Sequence, residues 1–342
     1  MRVQYKKMKK RLSRQAFVKN VKDAVKQYDM FRPGERVLVA VSGGCDSVCL
    51  LRVLYGMRKS LGTELVVANM DHGIRGSESA RDSLFVEKLA EELGLPFCFQ
   101  KIDPSGSGRS KISVEEYLRK RRYEFFRKAA SEHGCDVLAT GHTIDDQAET
   151  VLLRLVTGSS LNGLAGIPAV RYEGDLRVVR PLIRTGKKEV LDHLDSCGWG
   201  FREDRTNKET KYLRNRIRHE VLPFLEKYNP RIRRSLANLS ETIREDLDLI
   251  ESEKEKAMGR SLVHGSPRVK IKDLVLQPKS LRKAVFKELF SRAGGDIKKL
   301  TYRHWKDMDC LICAGKKGDS LDLPGRVMAS RSRDEIEFAK RI

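Results

Sequence analysis

Hydrophobic positions in the first half of the chain alternate between short β-branched runs and helical spacing. The run at 36–44 ends in glycines and precedes aliphatic residues that recur every three or four positions through Met57, which predicts a strand, a tight loop and a helix. The same pattern predicts strands at 64–70, 96–102 and 136–139, and helices at 83–93, at 114–133 and from about Asp145. This alternation predicts an α/β fold with a parallel sheet covered on both faces, which binds ligands beyond the carboxyl ends of its strands.

After Pro181 the pattern becomes mainly helical. Helices are predicted at about 186–196, 211–228 and 235–258, and the last is amphipathic and rich in Glu and Asp. The remainder mixes helix and strand signals, as in a small α+β domain. We therefore predict an α/β domain at 16–228, a helical linker at 229–260 and a small C-terminal domain at 261–342.

Composition adds a partner to this architecture. The 342 residues include 68 Lys and Arg against 47 Asp and Glu, which gives a net charge of +21. The excess is concentrated in three stretches. Residues 1–36 include 12 basic and 3 acidic residues, 109–128 include 8 and 3, and 202–234 include 11 and 5. Such runs also solvate exposed helix faces, but three of them separated by nearly neutral sequence favour a patch for a polyanion, with nucleic acid the first expectation.

Cysteine usage and hydropathy indicate a location. Seven scattered cysteines do not form the dense, even-numbered framework of a secreted domain, so we expect a reducing cytoplasm. No apolar run approaches the roughly 18 residues that span a bilayer, so no membrane segment is expected. The basic N-terminus lacks the apolar stretch of a secretory signal, and we interpret it as mature sequence.

The loop Ser42-Gly43-Gly44-Cys45-Asp46-Ser47 lies between a predicted strand and helix, where backbone amides and the helix dipole hold phosphate. It matches neither GxxxxGK[ST] nor GxGxxG. Asp46 is an unusual neighbour for phosphate unless a cation lies between them, and Mg²⁺ fits because it binds carboxylates together with phosphate oxygens. Cys45 is interpreted as incidental, although the loop amides would lower its pKa.

This loop resembles the PP-loop of ATP pyrophosphatases, whose fold is adenine nucleotide α-hydrolase-like. Several subfamilies share the loop, and further strings distinguish among them. The chain carries NMDHGIRG at 69–76, GHTIDDQAET at 141–150, GLAGIP at 163–168, RPLI at 180–183, EDRTN at 203–207, LRNRIRHEVLP at 213–223 and LDLPG at 321–325. In order and spacing these strings resemble the tRNA(Ile)-lysidine synthetase family over about residues 17 to 342.

The resemblance implies a two-step reaction on an isoleucine tRNA with a CAU anticodon. ATP adenylates the carbon-2 oxygen of the first anticodon cytidine with release of pyrophosphate, and the ε-amine of L-lysine then displaces AMP. Codon recognition thereby changes from AUG to AUA. The resemblance also implies Mg²⁺, a catalytic role for the PP-loop domain at 16–228 and tRNA recognition by the C-terminal domain at 261–342, and it makes a homodimer an expectation.

The motif positions carry roles over to named residues. The ATP-binding residues implied are Ser42, Gly43, Gly44, Cys45, Asp46, Ser47 and Met70, with Asp46 holding Mg²⁺ through the ATP phosphates. The catalytic residues implied are Asp46, Arg122, His142, Asp146, Glu149 and Arg214. Lysine binding falls to Asp145, Asp146 and Glu149, because an ammonium requires carboxylates, and Asp146 and Glu149 share a helix face. The tRNA-binding candidates are Arg119, Arg218, Arg231, Arg233 and Arg234.

Several alternatives stay open at the level of sequence. Asp145 could cap its helix, and His142 could be a satisfied structural histidine. Cys310 and Cys313 form the CxxC that carries an iron-sulfur cluster in related tRNA thiolases, but no second pair completes a ligand set, so we expect core packing beside Trp305 and Met308. A tRNA thiolase and a non-catalytic tRNA-binding protein are therefore the competing functions.

Overall fold

The protein is represented by a computed structural model, which describes residues 2–71, 77–102, 114–202, 213–261 and 267–341. The chain divides into two compact units, Met1–Glu241 and Thr242–Ile342. The proposed division at 16–228, 229–260 and 261–342 stays a prediction. No helix of the described residues is long and apolar enough to cross a bilayer.

The elements of the first unit follow the predicted alternation. In chain order they are α1 (Arg2–Gln27), β1 (Arg36–Ala40), α2 (Cys45–Leu61), β2 (Glu64–Asp71), α3 (Ser77–Glu92), β3 (Phe97–Lys101), α4 (Val114–Glu132), β4 (Val137–Ala139), α5 (Ile144–Thr157), α6 (Leu161–Leu164), β5 (Val170–Glu173), β6 (Leu176–Val179), α7 (Lys187–Cys197), α8 (Leu213–Arg216), a π-helical turn (Ile217–Val221) and α9 (Leu222–Glu226). Helix α10 (Ile232–Ser261) begins in this unit.

The sheet of this unit has the order β3-β2-β1-β4-β6-β5. Strands β1, β2, β3, β4 and β6 pair in parallel, and β5 pairs antiparallel with β6. The predicted α/β fold with a parallel sheet is confirmed, and the hairpin of β5 and β6 is the part that the pattern did not predict. Strand β1 is central and nearly inaccessible to solvent, with Val37, Leu38 and Val39 fully buried, which is why its sequence is a continuous apolar run.

Three helical predictions need correction. The helix expected at 211–228 is, in its described part, an α-turn, a π-helical turn and α9 rather than one regular helix. The helix expected at 83–93 begins earlier, at Ser77, and the connector expected at 235–258 extends over Ile232–Ser261. Helix α1 was not predicted, because its many basic residues leave only a weak helical spacing of apolar positions in the sequence.

The second unit is a small α+β structure, as expected. It contains β7 (Arg268–Lys270), α11 (Ile271–Val275), α12 (Lys279–Arg292), a short 3₁₀ turn (Ile297–Lys299), α13 (Tyr302–Ala314), β8 (Ser320–Leu323), β9 (Val327–Arg331) and β10 (Glu335–Lys340). Its antiparallel sheet has the order β7-β10-β9-β8. Helices α12 and α13 supply Phe286, Phe290 and Trp305 to the core against Phe338.

Candidate active site

The loop between β1 and α2 is shaped by its own serines. The Ser42 N–H donates to Ser47 Oγ at 3.1 Å, and the Ser47 hydroxyl donates to the Gly44 carbonyl at 2.9 Å. Gly43 has φ +91°, a conformation that glycine adopts without strain. The loop therefore wraps back on the first turn of α2 and leaves the amide end of that helix facing the carboxyl end of the sheet.

A second glycine allows another chain segment to approach this loop. A Cβ at Gly141 would lie 3.1 Å from the carbonyl carbon and oxygen of Asp46. Only a residue without a side chain fits at this position without movement of the loop. Gly141 belongs to the motif at 141–150 but had no predicted role, although its position two residues after β4 and directly before the motif histidine was an available signal.

A cleft of about 340 Å³ opens at this end of the sheet. Its lining combines the loop, the carboxyl ends of β1 and β2, helix α4 and the segment after β4. The lining residues are Ala40, Val41, Ser42, Gly44, Asp46, Ser47, Ala68, Met70, Arg122, Tyr123, Phe126, Thr140, Gly141, His142 and Asp146. The structure therefore brings eight of the sequence-predicted site residues to one cavity, whose lining contains both polar and apolar side chains.

Asp46 is held at the cleft by a residue that sequence reasoning missed. Nζ of Lys187, at the start of α7, lies 2.5 Å from Asp46 Oδ2. Burial raises the pKa of the Asp46 carboxyl, the lysine opposes that shift, and the negative charges of Asp146 and Asp145 add to it. Burial lowers the pKa of Lys187, but the ion pair with Asp46 has the larger effect, so the pKa of Lys187 is raised overall. No motif pointed to Lys187, because it lies 141 positions from Asp46.

Helix α5 presents the carboxylates of the motif. Asp146 Oδ2 accepts hydrogen bonds from the Thr143 N–H at 2.9 Å and from the Thr143 hydroxyl at 3.1 Å. Thr143 is therefore the residue at the N-cap, and the possibility that Asp145 caps its own helix is wrong. Asp145 instead accepts from the backbone N–H of Lys187 at 2.7 Å, at the start of α7.

Two arginines from the α8 and π-helical segment close over α5. Arg218 donates Nε to Glu149 Oε1 at 2.6 Å and a second nitrogen to Oε2 at 2.9 Å. Arg214 donates Nε to the same carboxylate at 3.1 Å and reaches Asp146 at 3.4 Å. The Glu149 side chain is only 1% exposed. Asp146 and Glu149 do share a face, as predicted, and Glu149 is enclosed by two guanidinium groups.

The electrostatic balance differs between the ionisable groups near α5. Burial raises the pKa of Asp146, but His142, the Thr143 N–H, Arg214 and Arg218 together hold it below its usual range. Burial lowers the pKa of His142 to about 4, although the negative charge of Asp146 acts in the opposite direction. The positive charges of Arg180, Arg214 and Arg122 lower this pKa further. His142 is thus neutral at pH 7, with Nδ1 at 3.0 Å from the Thr140 hydroxyl, and lines the cleft as an uncharged hydrogen-bonding group.

The remaining candidates lie around the rim or away from the cleft wall. Arg233 bridges Asp145 at 2.9 Å and Glu226 at 2.6 Å. Arg119 is exposed and lies over the ring of the cleft-lining Tyr123 at 5.7 Å. Arg231, directly before α10, and Arg234, on its first turn, are exposed.

Two expectations about cysteines are wrong. Burial and the adjacent Asp46 charge raise the pKa of Cys45, where the loop amides alone would have lowered it. Cys310 and Cys313 are exposed, whereas their neighbours Trp305 and Met308 are buried, so the pair occupies the outer face of α13 rather than the core. Within the described ranges no cluster of three or more His, Cys, Asp or Glu residues could hold a metal ion.

Comparison with known proteins identifies the family. A family model described as a PP-loop domain matches residues 13–225. The tRNA(Ile)-lysidine synthase of Geobacter sulfurreducens is 35% identical over 331 residues, which cover 96% of this chain and 70% of that protein. The tRNA(Ile)-lysidine synthase of Symbiobacterium thermophilum is 37% identical over 336 residues, which cover 94% of this chain and 68% of that protein.

A more distant solved structure shares the fold. The U34-tRNA thiolase from Methanococcus maripaludis, solved with its 4Fe-4S cluster, aligns with a TM-score of 0.56 and 21% identity, covering 68% of this chain and 80% of that one. The two tRNA(Ile)-lysidine synthases have a higher sequence identity to this chain than the thiolase has, and they match a larger part of it. They confirm the resemblance drawn from the sequence motifs. The chain belongs to the tRNA(Ile)-lysidine synthase family of PP-loop proteins.

Proposed function

We propose that this protein is an ATP-dependent carbon-nitrogen ligase that joins L-lysine to carbon-2 of the wobble cytidine of an isoleucine tRNA with a CAU anticodon. The names of its relatives support the substrate class. One observation of geometry carries the proposal: the PP-loop and the α5 carboxylates meet at a single cleft, with Asp46 and Asp146 both in its lining. A reaction that activates one substrate with ATP and then admits an amine requires such a shared site.

ATP binds at the loop side in this proposal. Amides at Ser42–Ser47 and the α2 N-terminus hold phosphate oxygens, while Met70 and Ala68 supply apolar surface for the adenine. Lys187, already 2.5 Å from Asp46, provides a positive charge where negative charge accumulates on departing pyrophosphate. The half-buried carboxylate of Asp46 beside the loop suits Mg²⁺, which supplies charge neutralisation of the phosphates when bound.

The lysine substrate binds at the α5 side. An ammonium group needs a carboxylate that is ionised at neutral pH, and the lowered pKa of Asp146 keeps it ionised. Asp145 lies at the rim and adds negative charge. Glu149, buried and bidentate with Arg218, positions the two arginines rather than meeting the substrate directly. The low pKa of Asp146 makes it a better partner for the ammonium than an acceptor of its proton.

The activated cytidine lies between these two sides. Arg122 and the neutral His142 line the cleft where the adenylated base and its α-phosphate would meet. Arg214, fixed by Glu149, directs its charge to the same place. Neutral His142 donates or accepts one hydrogen bond to the base without repelling the incoming ammonium.

The tRNA contacts are proposed from basic groups that are exposed or partly exposed. Arg119 near the cleft mouth, Arg231 directly before α10, and Arg233 and Arg234 on its first turn bind phosphates in this proposal. Partly exposed Arg218 contributes from beside Glu149. We further propose action in the cytoplasm, a homodimer, and tRNA recognition by residues 261–342.

A direct experiment tests the ligase. An isoleucine tRNA transcript with a CAU anticodon is incubated with the protein, ATP, Mg²⁺ and L-lysine, and its nucleosides are analysed by mass spectrometry. We expect cytidine to gain lysine with loss of water only when ATP and lysine are both present. No adduct from protein that still binds ATP and tRNA would refute the ligase.

The thiolase alternative has its own test. We expect the double variant Cys310→Ser and Cys313→Ser to keep full lysidine formation, because both side chains lie on an exposed helix face. Loss of activity in this variant, together with sulfur incorporation by the wild-type protein, would instead support a thiolase.

A further inference from the structure

Two aromatic side chains on α9 and the turn that follows it are exposed without any part in the chemistry above. Phe224 is 53% exposed and Tyr228 is 77% exposed. Their rings meet edge to face with centroids 5.3 Å apart, and Lys227 Nζ lies 6.0 Å from the Phe224 ring. We name Phe224, Lys227 and Tyr228 the aromatic ledge. Two exposed aromatic side chains in contact with each other indicate an interaction surface.

The ledge is not required for folding of its own segment. The opposite side of α9 carries the packing, since Leu222 is fully buried and Leu225 contacts the same apolar cluster against α5. Phe224 and Tyr228 therefore add little to the core. Their size and exposure are explained by a partner rather than by stability.

One arginine connects α9 to the active site. Arg233 donates to Glu226 at 2.6 Å and to Asp145 at 2.9 Å, and Asp145 is the neighbour of Asp146 in the cleft wall. Glu226 lies two positions from both Phe224 and Tyr228, so it points to the opposite side of α9 from the ledge. The bridge therefore places α9 near the cleft wall and leaves the ledge on the outer side of that helix, where it can contact the part of a bound RNA that stays outside the cleft.

The charge around the ledge selects the kind of partner. Residues 213–234 contain seven Lys and Arg against two Glu. Arg231 and Arg234 are exposed beyond the ledge. Aromatic rings set among cations fit a single-stranded nucleic acid, whose bases stack and whose phosphates pair with arginine. A second copy of a chain with a net charge of +21 would bring like charges together here.

The chemistry of the reaction gives such a surface a task. A base that enters a cleft must leave its stack, and its neighbours then lose a stacking partner. We propose that Phe224 and Tyr228 stack against anticodon-loop bases next to the target cytidine and replace that lost partner. This inference rests on the proposed function and extends it to a specific subsite for RNA bases.

Steady-state kinetics test the ledge. We expect the double variant Phe224→Ala and Tyr228→Ala to raise the KM for tRNA by roughly 5- to 100-fold. The KM for ATP and the salt dependence of tRNA binding stay unchanged, because no phosphate contact is removed. Tyr228→Trp retains affinity and Tyr228→Leu does not, which separates stacking from simple apolar contact. Phe99→Ala is the matched control, since Phe99 is a 48% exposed aromatic on β3 that stacks on Phe97.

A spectroscopic measurement locates the contact. The adenosine after the target cytidine is replaced by 2-aminopurine, whose emission is quenched by stacking. We expect the wild-type complex and the Phe99→Ala complex to keep the emission low, and the ledge double variant to raise it. Equal emission from all three complexes, or a tRNA KM unchanged in the ledge variant, would overturn the proposal.

Two further outcomes are distinguished. If the ledge double variant changes the mass of the protein assembly in sedimentation but keeps the wild-type KM for tRNA, the ledge is a protein interface and the proposed RNA subsite is wrong. If the wild-type protein forms no lysidine, the proposed ligase fails, and the emission measurement still decides whether the ledge holds a base. If lysidine forms and the ledge variant behaves as wild type, only the ledge fails.

Discussion

The carboxylates on the two sides of the cleft are held in opposite ways. Asp46, on the loop side, has one cationic side-chain partner among the described contacts, and that partner, Lys187, is 42% exposed. Glu149, on the α5 side, is 1% exposed and receives hydrogen bonds from two arginines. Burial raises the pKa of Asp46, whereas donors around Asp146 outweigh burial and lower its pKa.

The contrast separates an exchangeable site from a fixed one. A carboxylate whose single cationic partner is partly exposed can exchange that partner for a metal ion, because the new ion pair replaces the one that is lost. A buried carboxylate between two guanidinium groups cannot exchange partners without exposing an unpaired charge, which is costly. The loop side therefore suits ligand binding, and the Glu149 network suits rigid positioning of Arg214 and Arg218.

The largest expected effect is on the loop side. Asp46→Asn removes the charge that would neutralise cations beside the ATP phosphates, and we expect lysidine formation to fall by at least about 1,000-fold. Mass spectrometry of tRNA nucleosides measures this loss. Thermal unfolding checks that the variant is folded. Activity close to wild type would contradict the catalytic role of Asp46 and favour a non-catalytic tRNA-binding protein.

Breaking the fixed side should cost stability first. Glu149→Gln leaves Arg214 and Arg218 without their buried counter-charge, and we expect a loss of about 3 kcal/mol in the free energy of unfolding. Urea unfolding followed by circular dichroism measures the difference. The control is Glu92→Gln, which breaks an ion pair whose glutamate is 59% exposed and should cost less than about 1 kcal/mol. Equal losses in both variants would show that Glu149 stabilises the fold no more than an exposed ion-paired glutamate does.

A lysine pair tests the exchangeable contact. Lys187→Ala should raise the KM for ATP by about 10-fold, because a charged donor beside the phosphates is lost. Lys188→Ala is the matched control, since its exposed side chain is adjacent in sequence and should leave the KM for ATP unchanged. If both variants behave alike, Lys187 has no part in nucleotide binding.

The smallest expected effect is a difference in pH dependence between two asparagine variants. The raised pKa of Asp46 means that its contribution to stability decreases as pH rises above its ordinary value of 3.8, so Asp46→Asn should not destabilise the unliganded protein at pH 7. The lowered pKa of Asp146 means that its contribution is present above 3.8 and is lost as pH falls below it. Asp146→Asn should therefore cost about 1 kcal/mol at pH 7, where it also weakens the Thr143 hydrogen bonds.

Urea unfolding of both variants between pH 3 and pH 7 tests this pair. The gap between Asp146→Asn and wild type should narrow toward the acidic end. A loss of stability in Asp46→Asn as large as in Asp146→Asn would show that the two carboxylates are held alike.

Local patterns predicted much of the fold. The run at Val37–Val39 is apolar because β1 is buried on both faces, and the glycines that follow indicate a tight loop. The same rules did not predict the π-helical turn at Ile217–Val221, because its hydrogen bonds span one residue more than those of an α-helix and a single such turn is too short to give a distinct periodicity. The hairpin of β5 and β6 is short, and its strands are too brief to give a clear alternation.

The candidate site also has one part that local sequence patterns predict and one part that they do not. The sequence alone determined the loop Ser42–Ser47 and the acidic face of α5, because their residues are close in the chain and their chemistry depends on local spacing. By contrast, the pairing of Lys187 with Asp46 and the enclosure of Glu149 by Arg214 and Arg218 arise only when the chain has folded. Those contacts join segments 65 to 141 positions apart, so they depend on how separate helices pack against one another, which no short-range pattern encodes.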